Sequence, residues 1–190
     1  TFLFLDSYDE RYHKPIVLSN LDKKKFITNV SAIGAFEKQR AETLSYLAQN
    51  GIEVDVWGNG WEKMINGHHY LKIKNKFLYG KNYTKAIVGS KINLNFLRKI
   101  NRDTITSRSI EIPACGGFML SERTRTQTEI FNEGVEADFF DDKDELLEKI
   151  KYYLENEKQR KDIAYNGYKK CQSSNLSMKS QLNSIIDLIN

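Results

Sequence analysis

Cysteine and proline are scarce in this sequence, with two of each among 190 residues. Cys115 and Cys171 have no second cysteine or histidine at metal-ligand spacing, which argues against a disulfide framework and suits a reducing compartment. Long apolar runs are missing too: nothing approaches the ~20 residues that a spanning helix needs. The opening Thr1–Leu5 is apolar, but Asp6 stops it, so a signal peptide is not expected, and the missing initiator Met implies a trimmed or partial chain. No internal repeat or low-complexity tract appears. These absences leave a globular chain of one generous domain or one domain with appendages, 40% apolar and 28% charged.

Acidic residues are absent between Lys63 and Arg102, a stretch that holds ten of the 29 cations. The remainder carries 19 cations against 25 acids, so the net charge of +4 hides a strong asymmetry. One region is expected to meet anions. Charge alone weighs a solvated lysine-rich face as heavily.

The patterning alternates between strand and helix periods. Residues 1–24 read as an irregular lead-in, with a short strand possible at 2–5 and an extended Lys14-Pro15. Strands are predicted at 26–30, 52–57, 91–96, 118–120 and 135–140. Helices are predicted at 37–50, 83–90, 106–115 and 125–132, the third weakened by Pro113. A further helix opens on Asp142 with Glu145 three residues on, the next runs to about Cys171, and Ser177 caps a last one. Leu182, Ile185, Ile186 and Ile189 are its expected buried side. Strands separated by helices pair in parallel through right-handed crossovers, which predicts an α/β, doubly wound Rossmann-like parallel sheet. Such sheets bind ligands at the carboxyl ends of their strands.

Residues 101–120 are the most informative segment. They follow a strand, open a helix and reach the next strand through Gly116-Gly117. Helix-start N–H groups with Thr106, Ser107 and Arg108 suit a phosphate, and a carboxylate such as Asp103 or Glu111 can accept two hydrogen bonds from a vicinal diol. The structural alternative is a capping Ser107, a surface-paired Arg108 and a solvated Glu111; residue types alone favour it. His68-His69 read as a solvated pair, and Trp57 and Trp61 as stacking or core residues.

This segment resembles glycosyltransferases of the GT-B fold, in the broad family 4 group. Those enzymes carry two acids separated by seven residues, the second leading into "E-A-x-A-C-G-x-P-V". Asp103, seven intervening residues and Glu111-Ile112-Pro113-Ala114-Cys115-Gly116-Gly117 are similar to that element, with Asp in place of the first Glu. Arg108-Ser109-Ile110-Glu111 is closer to the CgeB-like (spore maturation protein) branch. Ile33-Gly34 with Arg40, Gly51 through Trp61, and Tyr83 followed by Lys91-Ile92-Asn93-Leu94-Asn95 resemble other elements of that branch in the same order.

The resemblance implies one half of a GT-B fold, the nucleotide-sugar-binding half of an enzyme that transfers a sugar to a carbohydrate or related acceptor, with retention, without a metal and without a cofactor. It implies a lead-in or interdomain segment at 1–24, the Rossmann-like domain at 25–172, and a C-terminal helix at 173–190 that packs on this domain or on a missing N-terminal one. It places Glu111 on the nucleotide ribose and Asp103, the expected catalytic residue, beside the donor sugar. Gly34 would admit the donor and Arg40 would face its diphosphate. Ser107 would add N–H donors, and Gly58, Gly60 and Tyr83 would shape the base pocket. Asn95 and Gly116 belong to the matching elements and are counted as donor-binding. Arg108 is left to phosphate or to bracing Glu111. The expected partners are a nucleotide-sugar donor, a carbohydrate or glycoconjugate acceptor and the missing domain. The expected location is cytoplasmic, with peripheral membrane contact open. A non-catalytic nucleotide- or polyanion-binding module is the alternative. Nucleic acid is not expected, although Tyr70, Phe77, Tyr79 and Tyr83 interleave with lysines.

Overall fold

The computed structural model describes residues 6–64, 68–74 and 76–189; the expected strand at 2–5 and Gly67 lie outside them. Six strands form one all-parallel sheet: β1 (Thr28–Ile33), β2 (Val54–Trp57), β3 (Leu71–Ile73), β4 (Ser90–Asn95), β5 (Met119–Glu122) and β6 (Asp138–Phe140). Their order is β3-β2-β1-β4-β5-β6. The helices are α1 (Asn20–Phe26), α2 (Lys38–Gln49), α3 (Gly80–Gly89), α4 (Ser107–Ala114), α5 (Arg125–Ile130), α6 (Lys143–Glu155), α7 (Glu157–Ser173) and α8 (Met178–Ile189).

Period-two alternation sends each strand's side chains into two cores. Val30, Val54, Val56, Ile92, Leu94 and Leu120 pack with Leu44 and Leu47 of α2 and Leu146 and Ile150 of α6. Met119 and Phe139 point the other way, to Ala86 and Ile87 of α3 and Ile110 and Ile112 of α4. Helices seal both faces of the sheet, as a parallel sheet requires, yet the strands also bury polar side chains, among them Ser31, Asp55, Asn93, Asn95, Ser121 and Asp138.

Four expectations change. The lead-in is not irregular throughout: α1 forms over Asn20–Phe26, because Ser19 and Asp22 close a capping box and Lys23, Lys24 and Lys25 suit the negative end of the helix dipole. The first strand accordingly begins at Thr28 and runs to Ile33, through part of the expected loop. A sixth strand, β3, joins the edge by pairing with β2. The last helix does not bury its apolar side here: Leu182 and Ile186 are exposed, and the side chain of Ile189 lies outside the described residues. Ser177 caps α8 through the Ser180 N–H, as expected, at 3.0 Å.

Pro113 does sit inside α4. Its missing N–H leaves the Ser109 carbonyl without the usual intrahelical donor, and the helix ends a turn later at Gly116, whose φ of 75° is costly for other residues.

Candidate functional site

The strand order reverses direction between β1 and β4, which lie side by side while the chain leaves them toward opposite edges of the sheet. A crevice opens at such a switch point, at the carboxyl ends of the strands. Here it is a cleft of about 360 Å³ lined by Gly34 and Ala35 after β1, Gly58 after β2, Phe77 to Tyr83 around the start of α3, Arg98 after β4, and Ser107, Arg108 and Glu111 of α4, with His13 from the lead-in.

Glycine builds the floor. The Gly34 N–H donates to Trp57 O at 2.8 Å, and Trp61 Nε1 donates to Gly34 O at 2.9 Å. The loops after β1 and β2 therefore touch backbone to backbone, and a Cβ on Gly58 (φ 141°) would collide with Gly34 O. Gly60 (φ 83°) lets the Phe36 N–H reach Asn59 O at 2.8 Å. Both tryptophans are buried, and Trp61 belongs to the core that also buries Leu44.

Glu111 stands at the wall of the cleft, one turn into α4. The Tyr83 hydroxyl donates to its Oε2 at 2.6 Å, and His13 Nε2 lies 3.8 Å from its Oε1. Burial, and then the negative charge of Glu111, push the Tyr83 phenol well above its usual range, so it stays a donor. Asp9 N–H donates to His13 Nδ1 at 3.1 Å, which leaves Nε2 as the protonated nitrogen facing the carboxylate.

Positive charge gathers in the same cleft. Arg108 lines the cleft and its Nε donates to Asn95 Oδ1 at 3.3 Å. Arg40 lies beneath Gly34, its guanidinium on Ala35 O and Phe96 O. Burial, followed by the neighbouring charge of Arg108 and Arg98, pushes the Arg40 guanidinium down to about 10. Arg98 and Arg108 line the cleft itself, and buried Arg40 adds its charge from beneath the floor, so this side of the cleft is favourable to an anion. In the first turn of α4 the Ser109 N–H is taken by Thr106 O at 2.8 Å, the Ser107 and Arg108 N–H groups have no intrahelical acceptor, and Ser107 Oγ donates to Asp6 Oδ1 at 3.0 Å.

A sequence profile of the glycosyl transferase-like family matches residues 38–187. The chain belongs to that family. No curated protein matches it. Among solved structures it is similar to sucrose-phosphate synthase of Thermosynechococcus elongatus (TM-score 0.73, 10% identity), covering 96% of this chain and 50% of that one. It is also similar to HepE of Anabaena in complex with UDP and glucose (TM-score 0.74, 14% identity; 96% and 55%). The C-terminal domain of a glycosyl transferase group 1 family protein, LpcC of Francisella tularensis, aligns over 97% of its own length and 88% of this chain (TM-score 0.64, 12% identity). The chain thus spans about half the length of the first two. At these identities the likeness shows the fold, the Rossmann-like α/β architecture of a GT-B C-terminal half.

In this glycosyl transferase-like domain the expected site residues fall into three groups. Gly34, Gly58, Tyr83, Ser107, Arg108 and Glu111 line one cleft. Gly60, Arg40 and Asn95 support it from behind. Asn95 is buried and donates to Ser109 Oγ and Ser121 Oγ, both at 3.0 Å, so it ties β4, α4 and β5 together. Arg40 lines a neighbouring cavity of about 420 Å³ with Lys99, Glu122 and Asp142, rather than the cleft itself. Asp103 and Gly116 stand apart. Asp103 sits in the β4–α4 loop, where its N–H donates to Arg98 O at 3.2 Å, and is not among the cleft-lining residues. Gly116 lies at the opposite rim, because the eight residues of α4 carry the chain about 12 Å away from the cleft.

The acid-free stretch does not form one cationic face. Lys72, Lys74 and Lys85 pair with Glu53, Asp55 and Asp22, acids supplied by other segments, and among the described residues Arg98 is the one cation of the stretch that lines the cleft. His13, Phe77 and Tyr79 are cleft residues that the site reading missed. Phe77 and Tyr79 stack with centroids 4.3 Å apart while remaining exposed, which the aromatic-rich run 77–83 foreshadows. His68 and His69 stack on one another, and no group of three His, Cys, Asp or Glu suited to a metal occurs among the described residues.

Proposed function

We propose that this chain is the donor-binding half of a glycosyltransferase that moves a sugar from a nucleoside-diphosphate sugar to a carbohydrate or glycoconjugate acceptor. The observation that carries the reading is Glu111: a carboxylate fixed by Tyr83 at the wall of a switch-point cleft that Arg98 and Arg108 also line. A carboxylate with a free oxygen accepts from both hydroxyls of a ribose, and guanidinium groups with helix N–H donors take the diphosphate. HepE, whose structure holds UDP and glucose, shares the fold and lends support.

In this reading Arg98, Arg108 and the start of α4 stabilise the charge that develops on the diphosphate as the bond to the anomeric carbon breaks, so leaving-group departure requires no metal. Gly34 lets the donor approach the backbone, Arg40 holds that loop from below, and the exposed Phe77–Tyr79 stack offers a face to the base. Asp103 is assigned to the donor sugar, in the manner of the CgeB-like branch of the family 4 group, and the reaction proceeds with retention. The acceptor site belongs to an N-terminal half. Two buried free cysteines suit a cytoplasmic enzyme.

Thermal-shift titration of the chain with UDP, GDP and ADP, with and without magnesium, tests this. Saturable, magnesium-independent stabilisation by one nucleotide, weakened in Glu111→Gln, supports it. Equal response to every polyanion would favour the non-catalytic polyanion-binding module.

A further inference from the structure

At the amino ends of the strands, across the sheet from the cleft, a groove of about 460 Å³ runs between α1, the start of β4 and α7. Ile16, Leu18, Ile27, Val88 and Phe118 give it an apolar lining, and Lys23, Lys91, Arg160 and Lys161 edge it. Beside it, Val17, Leu21 and Ile27 are 97, 78 and 59% exposed. Three such large aliphatic side chains within eleven residues are not the scattered apolar exposure of an ordinary surface. Leu21, Lys24 and Lys25 occupy one i, i+3, i+4 face of α1, turned away from buried Phe26.

We propose that this rim docks on an anionic phospholipid bilayer surface. Charge complementarity selects that occupant. Lys23, Lys24, Lys25 and Lys91 are exposed. The nearby acids are spent: Asp22 on Lys85 and on the Ser19 cap, Glu157 on Lys161. Aliphatic side chains that enter the headgroup region, ringed by lysines that meet lipid phosphates, are the pattern of interfacial attachment. Among the described residues no helix is long and apolar enough to cross a membrane. The face is opposite the cleft, and a domain closing over the cleft would leave it open.

The test is flotation of the chain with phosphatidylcholine vesicles, with and without phosphatidylglycerol. Binding is expected only with phosphatidylglycerol and falls as salt is raised. At roughly fivefold per lysine, a Lys23→Gln/Lys24→Gln/Lys25→Gln variant binds about a hundredfold more weakly. Val17→Ser/Leu21→Ser, at sites too exposed to endanger the fold, loses the attachment. Ile100→Ser, equally exposed but on the loop at the cleft rim, keeps it. No binding to anionic vesicles, binding that only Ile100→Ser removes, or a chain that dimerises through Leu21 without binding lipid would overturn the proposal. Nucleotide stabilisation is read separately and stays at the wild-type value in these variants, so failure of the donor reading is distinguishable from failure of this one.

Discussion

The Tyr83 hydroxyl and Glu111 Oε2 are 2.6 Å apart, joining α3 to α4 across the wall of the cleft. Because the phenol is buried and faces a carboxylate, it donates at any physiological pH, and Glu111 is held in one orientation. Tyr83→Phe removes only the hydroxyl. The bond is present in the free protein, and a hydrogen bond to a charged group contributes about 1.5–3 kcal/mol, so the thermal midpoint should fall by roughly 3–12 °C, and nucleotide affinity should fall as well because Glu111 loses its fixed orientation. Calorimetric titration of both proteins checks this; unchanged affinity would remove Tyr83 from the site.

Arg40 gives a different signature. Its buried guanidinium serves Ala35 O and Phe96 O, so Arg40→Ala strands two backbone acceptors and opens a void beneath Gly34. Urea unfolding should show a loss of about 2–4 kcal/mol. A variant of native stability that has lost only diphosphate affinity would instead make Arg40 a direct ligand.

Backbone proximity sets the glycine prediction. Gly58→Ala drives a Cβ into Gly34 O, whereas Gly51→Ala, also at positive φ, meets nothing within 4 Å. Gly51→Ala should cost about 1 kcal/mol in urea unfolding, the left-handed penalty alone. Gly58→Ala should cost several times more and abolish nucleotide stabilisation. Equal costs would contradict the close approach of the two loops.

At the far edge of the sheet, Arg123 binds Glu133, Asp141 and Glu145. Its hydrogen bond to Glu145 is the main reason that carboxyl is held down at about 2, against an ordinary 4.5. A depressed folded-state value stabilises fully above pH 4.5 and is lost as pH falls from there toward 2. Partial exposure of the pair reduces the effect to about 1–2 kcal/mol. Urea midpoints at pH 5 and pH 3 should therefore differ more in the wild type than in Glu145→Gln; equal slopes would show that the network contributes nothing.

Where the sequence was readable, periodicity carried it. β2 alternates cleanly, and α2 spaces Ala41, Leu44, Leu47 and Ala48 along one side before Gly51. β3 has three residues, one of them Lys72 paired outward to Glu53, so it is too short to display a period. α1 was hidden by its three consecutive lysines, although Ser19 and Asp22 announce its start. Residue types alone favour a solvated Glu111; it is singled out because the contiguous segment around it resembles a family element. His13, Phe77, Tyr79 and Arg98 meet Glu111 only through the crossover topology, and no local pattern carries that information. Composition likewise could not show that Lys72, Lys74 and Lys85 are neutralised by acids outside their own stretch.

The most direct measurement compares the nucleoside diphosphate that stabilises the chain best with its 2′,3′-dideoxy analogue, in wild type and in Glu111→Gln. If Glu111 grips the ribose diol, the wild type binds the ribose form about tenfold or more tightly and the variant loses most of that preference. Equal binding of the two nucleotides by the wild-type protein would contradict the account.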